Sequence, residues 1–315
     1  EGEIMKYLYG PVPSRRLGLS LGIDLIPYKI CSFNCIYCEC GATTDLSIER
    51  KEFKPVDEII KELDEYLQQD PELDYITFSG SGEPTLYLHI GKIIDFLKDN
   101  YPQYNTALLT NSSLLSNKEM RKEINKLDLI VPSLDSVFED NFQKINRPHA
   151  DIKLEDIIDG LIELRKEFDG QIFLEVFIVP GINDNEKEFQ RLKEIVEKIN
   201  PDKVQLNTLD RPGTEDWVEP ASEEQLKKAV DIIGKKAEII GRYSPKKKTK
   251  VMSHAVKKRI IETIRVRPCT VRDLSEILDL HVNEVNKYLR ELDREYDIKM
   301  KEQDRGRFYF LSKEE

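Results

Sequence analysis

The sequence predicts an α/β fold: an open, partial (β/α)6 TIM-like barrel, with a small C-terminal winged-helix domain after it. Three observations predict this. Strand patterns alternate with amphipathic helical patterns over roughly the first 210 of 315 residues, and such alternation builds a parallel sheet with right-handed crossovers. There are six strand units, short of the eight that close a TIM barrel. The residues best suited to binding follow the strands, where ligands collect in parallel α/β folds.

The first strand reads at Leu19–Ile26, where Leu19, Leu21, Ile23 and Leu25 alternate with Ser20, Gly22 and Asp24, the period of a strand with unlike faces. The next stretch, Pro55–Gln69, places Val56, Ile59, Ile60, Leu63 and Leu67 at helical spacing, with Pro55 where helices begin. Further strands read at Tyr75–Ser79, Thr106–Thr110, Leu127–Ser133, Ile172–Val179 and Lys203–Leu206. Helices read between them at Ile90–Lys98, Asn117–Lys126, Leu154–Phe168 and Glu186–Ile199.

Ser244–Lys250 is charged and contains a breaker, dividing the chain into a barrel (1–243), a basic linker (244–251) and a winged helix (252–315). In the last part, Ala255–Arg265, Val271–Leu278 and Val282–Asp293 read as helices. Lys299–Leu311 reads as two strands around Asp304–Arg307. The third helix is expected to expose Asn283, Lys287 and Arg290 and to bury Val282, Val285, Tyr288, Leu289 and Leu292. Glu284, Glu291 and Asp293 dilute its charge below that of most DNA-reading helices, so RNA and peptide both stand as its partner.

The strand ends carry the chemistry. Cys31, Cys35 and Cys38 follow the first strand, Gly80-Ser81-Gly82-Glu83-Pro84 the second and Thr110-Asn111-Ser112 the third. Ser133-Leu134-Asp135 follows the fourth, Val179–Asp184 the fifth, and Asn207-Thr208 the sixth. Three thiolates on one loop can hold three corners of a cubane iron–sulfur cluster, where electron-transfer clusters use four Cys. A structural zinc site pairs two Cys knuckles across a longer loop, whereas all candidate ligands here lie within ten residues. A disulfide framework does not suit five Cys of which four are bunched. Cys40 is either a fourth ligand or a neighbour of the cluster, and the isolated Cys269 reads as a small buried apolar residue. The four His form no cluster. Glu175 interrupts an apolar strand, where a carboxylate is either functional or salt-bridged. Arg15 and Arg16 suit a carboxylate or phosphate of the substrate, or are ordinary surface arginines.

The cysteine spacing, with Tyr37 just before the third Cys, resembles that of the radical S-adenosylmethionine (radical SAM) superfamily. The resemblance implies a [4Fe-4S] cluster on Cys31, Cys35 and Cys38, its open iron chelated by the amino acid end of SAM. It further implies reductive cleavage of SAM to methionine and a 5′-deoxyadenosyl radical that abstracts hydrogen. Gly80–Pro84 resembles the superfamily's glycine-rich segment, with Ser81 as a departure, which implies that Gly80, Ser81, Gly82 and Glu83 meet the amino group of SAM. Its alternative is an ordinary strand-to-helix turn. Ser133 and Asp135, together with Asn111, fit the ribose- and carboxylate-contacting position; the other role open to Asp135 is capping the next helix. Gly181 and Ile182 are implied at adenine. Tyr37 is implied to give its backbone to adenine and its ring to shielding the cluster. Arg15, Arg16, Glu175 and Asn207 are the substrate-facing candidates.

Tyr9–Gly18 resembles the start of a mainly archaeal and anaerobic-bacterial group of radical SAM iron–sulfur oxidoreductases associated with wyosine-type tRNA modification. The cysteine-loop context differs from that of the wyosine-forming enzymes, so the substrate does not carry over. No second cysteine cluster follows the barrel, which implies an external electron donor such as ferredoxin or flavodoxin.

Composition bounds the rest. The net charge is −11 with 34% charged residues; residues 246–315 hold 18 Lys and Arg against 13 Asp and Glu, leaving −16 on residues 1–245. An acidic body excludes a polyanion wrapped around the whole chain. No apolar run approaches the roughly 18 residues of a membrane helix, and a strand pattern rather than a signal follows Arg15-Arg16, so a cytoplasmic protein with no membrane partner is expected. The competing class is a winged-helix regulator whose iron–sulfur or zinc site senses redox state.

Overall fold

The computed structural model describes residues 5–240 and 253–311; the expected linker, 244–251, lies outside them. The chain runs β1 (Leu8–Ser14), β2 (Gly18–Ile23), β3 (Ile30–Cys31), β4 (Asp45–Leu46), α1 (Val56–Leu67), β5 (Tyr75–Phe78), α2 (Ile90–Asn100), β6 (Asn105–Thr110) and α3 (Lys118–Glu123). It continues through β7 (Leu129–Pro132), α4 (Glu139–Asn146), α5 (Leu154–Glu167), β8 (Gln171–Phe177), α6 (Glu186–Ile199), β9 (Lys203–Asn207), α7 (Glu223–Ile233) and β10 (Ala237–Ile239). One eight-stranded sheet has the order β1-β2-β5-β6-β7-β8-β9-β10. Every pair from β2 to β10 is parallel, and β1 adds to β2 antiparallel. The edges β1 and β10 do not pair, so the sheet is open.

The six expected strands are β2 and β5 to β9. The first is shorter than expected and ends at Ile23; the next residue, Asp24, turns its carboxylate to accept from Ser81 N at 3.0 Å and Ser81 Oγ at 3.1 Å. Leu25 and Ile26 are buried beyond the strand end. β1 and β10 were not expected. β1 contains Gly10, Pro11 and Pro13 and its register shifts between Tyr9 and Val12, features that a sheet tolerates at an edge. The helices bury one stripe each, as in α1, where Val56, Ile59, Leu63 and Leu67 are buried, each contributing about 1.5–3 kcal/mol.

The C-terminal segment comprises α8 (Ser253–Val266), β11 (Cys269–Thr270), α9 (Val271–Leu278), α10 (Val282–Leu292), β12 (Ile298–Gln303) and β13 (Gly306–Leu311). Its three-stranded sheet has the order β11-β13-β12, and Ile260, Ile264, Leu274, Val285 and Leu289 form its own core. Cys269 is fully buried there. Val282, expected inside, is 41% exposed, because it opens α10 directly after the N-cap His281. This segment lies against the sheet: Arg259 donates to Pro11 O at 3.0 Å, Glu262 accepts from Met5 N at 3.3 Å, and Arg305 reaches Asp210 at 2.6 Å. Among the described residues no helix is long and apolar enough to cross a membrane.

Candidate active site

The cysteine loop leaves β2 and is laced to the end of α4. Asn34 N donates to Asn146 O at 3.0 Å and Ile36 N to Ile145 O at 2.9 Å. Each of the three sulfurs faces a side-chain N–H donor from outside the cysteine set. Asn111 Nδ2 stands 3.6 Å from Cys31 Sγ, Asn146 Nδ2 3.4 Å from Cys35 Sγ and Lys29 Nζ 2.8 Å from Cys38 Sγ. Lys29 also holds Gly41 O at 2.6 Å. Burial pushes the Cys31 thiol up to about 12 and raises Cys35 as well. Cys38 goes the other way, held down by a hydrogen bond with Cys40 and by the Lys29 charge, against burial. Cys40 Sγ itself points to Gly80 O at 3.6 Å and Val266 O at 3.5 Å. Among the described residues no three His, Cys, Asp or Glu side chains converge as a metal-binding group. The three sulfurs still sense one another's charge, and their donor set suits a thiolate-ligated cluster, whose sulfurs accept hydrogen bonds.

The glycine-rich segment crosses this loop. A Cβ on Gly82 would stand 2.0 Å from Ile30 O, and one on Gly80 2.2 Å from Asp24 Oδ1, so both positions require glycine. Glu83 is buried and saturated: Oε1 accepts from Thr85 N (3.1 Å), Thr85 Oγ1 (2.6 Å) and Thr110 Oγ1 (2.7 Å), and Oε2 from Asn111 N (2.7 Å). Burial raises its pKa despite these donors. Glu83 therefore clamps the end of β5 to the end of β6 and fixes Asn111.

Asp135 lies at the end of β7, 3% exposed. It accepts from Tyr37 OH and Asn146 Nδ2, both at 2.6 Å, and from Phe177 N at 2.9 Å. Burial brings its pKa up to about 6. It does not cap α4, whose N-cap is Phe138. The Tyr37 ring stacks on Phe177 at 3.7 Å and 7°. Asn183, fully buried, donates to Asp135 O and Phe177 O and accepts from Val179 N, locking the loop after β8.

Tyr37, Asn111, Ser133 and Asp135 are thus brought together, with Phe33 and Asn146, around one cavity of about 10 Å³, room for about one water. A nucleoside enters only if these side chains part. The remaining candidates do not line this cavity, although Glu175 is bridged to Ser133. Gly181 is exposed at φ +78° with open space around it, while Ile182 packs with Tyr37 and Val179. Arg16 and Glu175 form an ion pair, so each neutralises the other. Asn207 Oδ1 accepts from its neighbour Thr208 N at 3.0 Å. Arg15 lines a different cavity, with Asp210 and Arg267.

Sequence reasoning missed Lys29, Asn146, Asn183 and the partner role of Asp24. Asn146 Oδ1 is buried with no partner. An unsatisfied acceptor beside Cys35 is what an ammonium group would satisfy, so the residues present fit an amino acid end as well as a cluster.

Comparison with known proteins follows the same line. The profile of the radical SAM superfamily matches residues 25–194. A UPF0026 protein of Methanocaldococcus jannaschii is 35% identical over 310 residues, covering 94% of this chain and 95% of its own. A Brachyspira hyodysenteriae protein named GTPase Obg is 43% identical over 224 residues, 71% of this chain; the match spans 33% of that protein's length. The crystal structure of a radical SAM methyltransferase from Sphaerobacter thermophilus superposes with a TM-score of 0.54 at 14% identity, covering 70% of this chain and 65% of its own, and shows the shared fold.

Proposed function

This chain belongs to the radical SAM superfamily, and from that premise we propose that Cys31, Cys35 and Cys38 hold a [4Fe-4S] cluster at which SAM is cleaved reductively. SAM held there would supply a 5′-deoxyadenosyl radical for hydrogen abstraction from a substrate. The observation that carries the reading is that Asn111 and Asn146, which donate to the Cys31 and Cys35 sulfurs, also line the cavity shared by Tyr37, Ser133 and Asp135. The cluster supplies the electron for breaking a sulfur–carbon bond of SAM; the chain's residues do the rest. Asn111, placed by Glu83, and Asn146 and Lys29 hold the sulfurs. Asn146 Oδ1 accepts from the ammonium of SAM. Asp135 and Ser133 take the ribose hydroxyls, and the Tyr37–Phe177 stack keeps water from the loop.

We read the open sheet as a partial barrel and the C-terminal segment as a winged helix. Asn283, Asn286, Lys287, Arg290, Glu291 and Arg294 line an open depression along α10 and just beyond it, which is the contact surface for RNA or a peptide. A ferredoxin- or flavodoxin-type donor in the cytoplasm supplies electrons from outside. Anaerobic reconstitution followed by dithionite and SAM tests the proposal: 5′-deoxyadenosine should be released. Its absence from protein shown to carry the cluster overturns the reading, and indifference to SAM favours a redox-sensing regulator instead.

A further inference from the structure

Resting on the reading of this chain as a SAM-cleaving enzyme, we propose that the cavity between the β-strand loops and the C-terminal segment binds a phosphate group of a small substrate, held by Arg211 and Arg267. The cavity measures about 420 Å³ and takes its walls from both parts, including Arg15 and Arg211 from one and Arg267, Arg272 and Arg305 from the other. That volume is typical of small-molecule sites.

The carboxylates in its walls are largely committed. Asp210 holds Arg305 at 2.6 Å and stands 3.8 Å from Arg15. Asp273 holds Arg305 at 2.7 Å and closes the capping box of α9. Glu276 pairs with Arg272 at 3.2 Å, and Asp304 is exposed in the hairpin turn. Two cationic groups are left with donors to spare. Arg211 is 8% exposed and pairs with Glu39 at 3.0 Å, while its buried Nε has no acceptor. Arg267 acts on the Glu39 carboxylate by charge alone, together with Arg211 and Arg15, and among the described residues its guanidinium makes no hydrogen bond or ion pair at contact distance. Guanidinium forks match phosphate oxygens, so one phosphate group satisfies both.

The position of Arg267 says where such a substrate would lie. It also borders an inner cavity of about 130 Å³ with Ser20, Thr77 and Ser79, and a third with Glu39, Cys40 and Gly213. A phosphate held by Arg267 therefore leaves the rest of the molecule between the hydroxyl-bearing face of the sheet and the cysteine loop.

Isothermal titration of the full chain with inorganic pyrophosphate at fixed ionic strength tests the site. Wild type should bind, Arg267→Gln and Arg211→Gln should bind about tenfold more weakly or worse, and the exposed-charge control Lys227→Gln should match wild type. Circular dichroism reports folding; if Arg267→Gln does not fold, Arg267→Lys, which keeps the charge without the fork, decides by its weakened binding. Single-stranded RNA that displaces pyrophosphate would place the phosphate on a polynucleotide and overturn the small-substrate assignment, whereas failure of RNA to compete supports it. No binding by wild type, or equal binding by wild type and Arg267→Gln, overturns it. Either failure leaves substrate-free release of 5′-deoxyadenosine untouched, whereas loss of that release with phosphate binding retained overturns the SAM reading alone.

Discussion

Replacing Glu83 separates its structural role from a ligand-binding one. In Glu83→Ala four donors lose their acceptor. The hydroxyls of Thr85 and Thr110 can rotate to other partners, but Thr85 N and Asn111 N are fixed by the backbone. Two stranded amides at about 1–3 kcal/mol each give a loss of about 4 kcal/mol. Glu83→Gln keeps an oxygen for the three donors at Oε1 and turns an amide N–H toward Asn111 N, stranding one amide for about 2 kcal/mol. Urea unfolding of the full chain should therefore rank wild type, Gln and Ala in that order, with unchanged m-values. Glu83→Gln unfolding at the wild-type midpoint would refute the convergence of donors on this carboxylate. Titration of the folded Gln variant with SAM then isolates any direct contact, since its clamp is mostly kept.

Other expectations follow from single contacts. Gly82→Ala drives a Cβ to 2.0 Å from Ile30 O, which is backbone and cannot swing away; the loop before Cys31 must shift, and iron content after reconstitution should fall well below wild type, against an unchanged value if the loop is slack. Glu262 is buried and its pKa is raised by burial to about 7, with Lys258 opposing. The unfolded chain releases this proton first, so stability drops as pH rises between about 4.5 and 7, by up to about 3 kcal/mol; Glu262→Gln should flatten that slope in urea midpoints taken from pH 5 to 8, and an unaltered slope would count against it. The Arg16–Glu175 pair is well shielded, so Glu175→Gln alone should cost about 3 kcal/mol or more, while Arg16→Met with Glu175→Leu should lie much nearer wild type; equal losses in the single and double variants would contradict this.

The strand series was legible because β2 and β5 to β9 carry period-two or apolar runs between breakers, and they pair in parallel with one another in that order. β1 was not, because Pro11 and Pro13 argue against a strand in general and only an edge position excuses them. α7 had a readable start, Ser222 with Gln225 three residues on, which the structure shows as a capping box; no strand was expected beyond it, and it was passed over. The rim placement of the cysteines, glycines and Asp135 followed from topology. What connects them did not. Lys29, Asn146 and Asn183 act through partners brought close only by folding, such as Cys35 and Asn146, 111 residues apart, and an isolated Asn in a loop carries no local mark of such a contact. Glu83 was legible as a special residue, but its four donors are a property of the folded strand ends.

The contact between Cys40 Sγ and Val266 O joins residues 226 apart in sequence. A ribosome adds about 5–20 residues per second, so the cysteine loop is made roughly 10–45 s before the helix end that covers it. During synthesis the loop stands uncovered, and the tail closes over it last. On the proposed function, delivery of a cluster would have a natural window on the growing chain, and translation speed across residues 40–266 would set its length.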